Sequence, residues 1–150
     1  MKSRLAFWFA TCGFIGCIPF APGTFGSLVA IPLLIVLHHK LLALVILFFF
    51  LLVGAILASR LVSVELGSFD PPSIVIDEVC GMLASFLFVP IRWQTLLAGF
   101  VLFRFFDIVK PPPIRSMERI PHGFGIVFDD VGAGIYTNLI LQAFIRYAHL

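Results

Sequence analysis

Phe103-Arg104-Phe105-Phe106-Asp107-Ile108-Val109-Lys110-Pro111-Pro112-Pro113, answered by Gly123-Phe124-Gly125-Ile126-Val127-Phe128-Asp129-Asp130, is the stretch on which the reading of this chain turns. It leaves an apolar segment through alternating charges, breaks on three prolines, and re-enters apolar sequence through two adjacent aspartates. The chain is 61% hydrophobic and only 12% charged, so ions set against such greasy sequence mark a functional site by default. Asp107, Asp129 and Asp130 are three of its eight acidic residues, and a second knot holds Asp70, Asp77 and Glu78. Both knots are expected to converge on one carboxylate site, working through a metal.

Composition sets the class. A mean hydropathy of +1.11 and 18 phenylalanines in 150 residues lie outside the soluble range, where about a quarter of residues are charged. The expectation is one all-α domain over residues 1–150, an integral membrane bundle. It should hold about four to five apolar helices plus an N-terminal amphipathic or re-entrant segment. A formal charge of +2 with no basic run gives nucleic acid no electrostatic footprint, while a lipid bilayer is the implied partner. Cys12, Cys17 and Cys80 lack metal-ligand clustering, and no disulfide is expected. None has an arginine six residues on (Ile18, Gly23 and Phe86 stand there), which excludes the phosphate cradle of thiolate phosphatases.

Lys2, Arg4 and the apolar residues 5–20 have the form of a signal sequence, but further apolar sequence follows at once, and the reading is a short element at the membrane surface. Residues 21–27, Ala-Pro-Gly-Thr-Phe-Gly-Ser, predict a turn and a helix start with Thr24 as N-cap. Two roles stay open for it: a capped helix end, or a phosphate site built from free amides with Thr24 and Ser27. Residues 41–58, extending to Val62, predict a full span, whereas 28–37 and 79–91 are short for one. His38 and His39 are read as a solvated loop, because neighbours on a helix diverge by about 100°. Asp77 and Glu78 suit a helix's first turn, where the macrodipole favours anions. Arg104 and Asp107, three apart, predict an ion pair, with Lys110 a further three residues on. Arg115 and Arg119 keep that loop positive, and Gly132, Ala133 and Gly134 predict a small-residue packing face.

Parity joins these pieces. With Lys2 and Arg4 in the cytoplasm, one hairpin returns the chain at Arg60 and another at Lys110. The Thr24 turn and both acidic knots then share the cytoplasmic face.

Taken together, four blocks make the chain resemble the phosphatidylglycerophosphatase A family, from about Gly13 onward. They are Gly13, Gly16, Pro19 and Ala-Pro-Gly-Thr-Phe-Gly-Ser-Leu at 21–28; Asp70, Pro71, Ile74, Val75, Asp77, Glu78 and Gly81; Phe103, Arg104, Asp107, Lys110, Pro111, Pro113 and Ile114; and Gly123, Gly125, Ile126, Asp129, Asp130, Ala133 and Gly134. His122 stands where that family usually has a glycine. The resemblance implies an all-helical enzyme of the bacterial inner membrane. Its substrate would be phosphatidylglycerophosphate, hydrolysed with Mg²⁺ to phosphatidylglycerol and inorganic phosphate. By this analogy Asp77, Glu78, Asp107, Asp129 and Asp130 are the metal-binding and catalytic candidates, since Mg²⁺ takes oxygen ligands. Arg104, Lys110, Thr24 and Ser27 would hold the substrate phosphate. The sequence leaves open which carboxylate is the base, and an aspartyl-phosphate route is disfavoured by the lack of an Asp-x-Asp pair. A small cation transporter using the same acids is the alternative reading, and a catalytically inactive subunit the least favoured.

Overall fold

A computed structural model describes residues 3–120 and 123–148; Lys2 and His122 lie outside them. Among the described residues there are seven α-helices and no strand: α1 (Arg4–Ala10), α2 (Pro22–Val36), α3 (Leu41–Leu66), α4 (Ile76–Ser85), α5 (Trp93–Val109), α6 (Ile114–Met117) and α7 (Phe124–Ala148).

Two of these, α3 and α7, are long and apolar enough to cross a membrane. At 26 residues α3 runs about 39 Å, beyond the roughly 30 Å of hydrocarbon. Its outer stripe of Leu42, Ile46, Phe49, Phe50, Val53, Leu57, Leu61 and Val64 is exposed, an apolar surface that water disfavours and lipid accepts. Leu97, Val101, Phe105 and Ile108 continue such a stripe on the 17-residue α5. The expected four to five apolar helices thus resolve into two of membrane length and shorter ones. The stretch 79–91 in particular is no span: its helix is α4, 10 residues or about 15 Å, and the chain then turns through Phe88 at φ +63°. At the N-terminus, α1 exposes Leu5 and Trp8, and its last carbonyl, Ala10, accepts the Val75 amide at 2.9 Å.

The core of the bundle is the pair α4 and α7. Every α4 residue except Glu78 is buried. The two helices run parallel: as α4 advances from Asp77 to Gly81 to Ser85, α7 advances beside it from Asp130 to Gly134 to Asn138. A Cβ on Gly134 would overlap the Gly81 carbonyl, and one on Gly81 would stand 2.7 Å from the Asp130 carbonyl, so both glycines are required for this approach. Parallel packing brings the acids in the first turn of α4 and the second turn of α7 to one end of the bundle.

Candidate active site

That end holds a polar pocket of about 210 Å³, lined by residues from every knot singled out in the sequence: Ala21, Pro22 and Gly23; Asp70, Asp77 and Glu78; Arg104, Asp107 and Lys110; Ile126, Asp129 and Asp130. The starts of α2, α4 and α7 and the end of α5 meet there. Asp77 and Glu78 occupy the first turn of α4, and Asp77 Oδ1 accepts the Glu78 amide at 3.1 Å. Oxygens of Asp77, Glu78 and Asp130 come within 4.8 Å of one another.

The five expected carboxylates therefore divide into two sets. Asp107 is engaged by Arg104 Nη1 at 2.6 Å, the i, i+3 pair predicted from spacing. Asp129 is engaged by Lys110 Nζ at 2.6 Å across 19 residues of chain, and Glu118 lies 3.4 Å from the same ammonium. Each cation is flanked twice, since Arg104 Nη1 also stands 4.0 Å from Glu78 Oε1. Both retain N–H groups beyond those given to their partners. Glu78 Oε2 is buried and has no hydrogen-bond partner, and an orphaned carboxylate oxygen is costly unless something cationic or hydrogen-bonding meets it.

Electrostatics follow from this crowding. Burial, and then the charges of Glu78 and Asp130, push the Asp77 carboxyl well above the usual carboxylate range. Burial raises Glu78 as well, with its hydrogen bond to Asp77 opposing the shift. For Lys110, burial works against the charge, but the Asp129 hydrogen bond and the charges of Asp129 and Glu118 outweigh it and hold the ammonium above the ordinary lysine range. Burial, reinforced by the Glu78 charge, lifts the Cys12 thiol to about 12, so it is inert near neutral pH.

The helix start is corrected. α2 begins at Pro22 with Ala21 as N-cap in the left-handed region, so Thr24 is not the N-cap. Neither Thr24 nor Ser27 lines the pocket, and the buried Ser27 hydroxyl donates to the Gly23 carbonyl at 2.8 Å within its own helix. Proline supplies a pre-set φ at the first helical position, which outweighs threonine's capping preference two residues later. What α2 contributes is Gly23: a Cβ there would overlap Glu78 Oε1 and stand 3.1 Å from Arg104 Nη1. Glu118 had no sequence signal, being one acid in a loop. Asp70, expected at the site with its knot but not among the metal-binding and catalytic candidates, also lines the pocket. His38 and His39 are exposed, as expected of a loop, their rings tilted by 45° with centroids 3.7 Å apart.

Fold and pocket together define a class: an all-helical protein with helices of membrane length, carrying at one end of its bundle an acidic site with two embedded cations. Comparison with known proteins narrows that class to one family. The phosphatidylglycerophosphatase A family matches residues 8–145. Phosphatidylglycerophosphatase A of Haemophilus influenzae is 41% identical over 85% of this chain and 81% of its own length. Its namesake from Escherichia coli is 40% identical over 84% of this chain and 75% of its own length. A protein of Bacteroides thetaiotaomicron, provisionally named a phosphatidylinositol-3-phosphatase, is 41% identical over 84% of this chain and 84% of its own length. No solved structure matches. The chain belongs to the phosphatidylglycerophosphatase A family.

Proposed function

We propose that this protein is a Mg²⁺-dependent lipid phosphatase that hydrolyses phosphatidylglycerophosphate to phosphatidylglycerol and inorganic phosphate, in the bacterial inner membrane with its site on the cytoplasmic face. The observation that carries the reading is the charge imbalance of the pocket: six carboxylates (Asp70, Asp77, Glu78, Asp107, Asp129, Asp130) line it against one arginine and one lysine. A phosphate monoester entering alone would meet carboxyl groups that either repel it when ionised, each unit pair at 4 Å costing about 4 kcal/mol at an effective dielectric of 20, or, like Asp77, hold a proton and offer no counter-charge. Entry with a divalent cation removes that cost. The residues fit Mg²⁺: three carboxylates offer closely spaced oxygens, and one of those carboxylates carries the orphaned Glu78 Oε2.

Asp77, Glu78 and Asp130 would hold the ion. When bound, it supplies Lewis acidity, neutralising phosphoryl charge and acidifying water. Arg104 and Lys110 direct their remaining N–H groups at the equatorial phosphoryl oxygens. Asp107 and Asp129 keep those two cations in place, each through one carboxylate oxygen. A carboxylate of the cluster accepts the proton of the attacking water. The water oxygen bonds to phosphorus, the bond from phosphorus to the glycerol oxygen breaks, and the leaving oxygen is protonated. At about 210 Å³ the pocket is smaller than the roughly 300–1,000 Å³ of drug-sized ligand sites, so the phosphoglycerol end enters and the acyl chains stay in the bilayer. The relatives' names agree with a lipid phosphomonoester as substrate. A cation-transport role has less support, because the charged cluster lies at one end of the bundle instead of along a path through it.

The test is phosphate release by purified protein in detergent. Phosphatidylglycerophosphate should be hydrolysed with Mg²⁺ and spared with EDTA. Turnover indifferent to chelation would remove the metal; cation flux in proteoliposomes without hydrolysis would replace the enzyme with a transporter.

A further inference from the structure

Helix α4 is fastened at its inner end by a side chain that plays no part in the chemistry. The amide of Asn138, on α7, donates through Nδ2 to the carbonyls of Ala84 (3.2 Å), Ser85 (3.1 Å) and Leu87 (2.8 Å). Gln142 Nε2 in turn donates to Asn138 Oδ1 at 2.6 Å. That support fixes the amide's orientation, since turning it over would point Oδ1 at three carbonyl oxygens.

The last carbonyls of any helix lack partners within it. A helix of 10 residues reaches only about halfway through the hydrocarbon, where water is scarce and free carbonyls are costly. Asn138 supplies donors to Ser85 and Leu87, and shares Ala84 with the Leu87 amide, 3.4 Å away. At the middle of the seam Gly81 faces Gly134 with no side chain on either helix, so no side-chain hydrogen bond sets the relative height there. The polar lock lies two helical turns along α7 from Asp130, and Ser85 lies two turns along α4 from Asp77. Fixing one end of the pair fixes the height of the carboxylates at the other.

We infer that Asn138 is a positioning residue: by ending α4 at a set height against α7, it fixes Asp77 and Glu78 relative to Asp130 and thereby tunes that group's affinity for a divalent cation. This rests on the reading of those three carboxylates as the cation site.

The experiment uses the full chain in detergent with Mn²⁺ as probe, its binding followed by electron paramagnetic resonance. Amide hydrogen exchange of the last turn of α4 is measured alongside. Asn138→Leu and the nearly isosteric Asn138→Asp, which loses the donors, should each raise the Mn²⁺ dissociation constant about tenfold, the lower end of what supporting residues contribute to metal sites. Exchange at Phe86 and Leu87 should accelerate. Gln142→Leu, which removes only the support, should do both more weakly and remain folded where the Asn138 variants do not. Leu141→Ala, a buried apolar truncation on the same helix, should lower the melting temperature and leave Mn²⁺ affinity unchanged. Unchanged affinity in the Asn138 and Gln142 variants, or equal weakening in Leu141→Ala, overturns the proposal. If the wild-type chain binds no Mn²⁺, the cation-site reading fails and the inference built on it falls too; exchange at Phe86 and Leu87 then reports only whether Asn138 closes α4.

Discussion

Substituting alanine for Gly23 separates chemistry from fold more cleanly than removing a charge. Gly23 lies in the first turn of α2, where alanine is the better helix former by about 1 kcal/mol, so the backbone gains from the change. The new methyl, however, would overlap Glu78 Oε1 and come within 3.1 Å of Arg104 Nη1. Both are ends of flexible side chains, which yield at little cost to stability. To reach ordinary contact the carboxylate must retreat by about 1 Å, and a displacement of that size at a reacting centre costs on the order of a hundredfold in rate. Gly23→Ala should therefore keep or raise its melting temperature in detergent, lose about 99% of its phosphate release, and need more Mg²⁺ for half-maximal activity. Gly26→Ala is the contrast: its Cβ would stand 2.7 Å from Val75 Cβ and 2.9 Å from the Val75 carbonyl, so it should lose stability. Full activity in a stable Gly23→Ala protein would show that Glu78 can move freely without consequence, and Glu78 would leave the proposed site.

The remaining expectations are briefer. Asp77→Asn and Asp130→Asn should each lower kcat by roughly a hundred- to a thousandfold while the protein stays folded, matching the loss of a transition-state contact of about 3 to 4 kcal/mol; near-normal turnover would exclude them from the site. Arg104→Gln should lose activity with a small change in melting temperature, whereas normal turnover in an unstable protein would make its bond to Asp107 structural. In a cysteine-less background, single thiols at Ser73 and Ser116 should be labelled from the same, cytoplasmic side and a thiol at His39 from the other; Ser73 and Ser116 on opposite sides would break the single-site topology. Asp77 and Glu78 are held above their ordinary range, so the folded state binds more protons than the unfolded one between the unfolded and folded values. Their contribution is complete below the unfolded pKa and lost as pH rises through the folded one. With EDTA present, the melting temperature should fall from pH 5 to pH 8, and saturating Mg²⁺ should remove that slope; a metal-free protein that gains stability over this interval would contradict it.

How far the site was legible depended on the distance over which each interaction acts. Arg104 and Asp107 are one helical turn apart, and their spacing alone announced the pair. Asp77 and Glu78 declared themselves by standing at the edge of an apolar run, because a charge there needs a reason. Lys110 and Asp129 could be assigned to one cluster but not to each other, since their bond closes 19 residues of chain, through α6 and the start of α7, that no single periodicity describes. The division of five acids into three that face one another and two that hold cations is accordingly tertiary information. So is the length of α4. The run 79–91 is apolar throughout, and hydropathy cannot distinguish a helix that ends at Ser85 from one that continues. What ends it is a set of carbonyl acceptors met by Asn138, more than 50 residues further on, in a stretch whose small residues advertised close packing but not its partner. Gly134 was visible as a small face; that the face belongs to Gly81, and that the two helices run in the same direction, required the fold. The direction matters most, because two parallel helices that carry acids in the first turn of α4 and the second turn of α7 concentrate negative charge at one end, and that concentration makes a divalent cation the natural companion of a phosphate there.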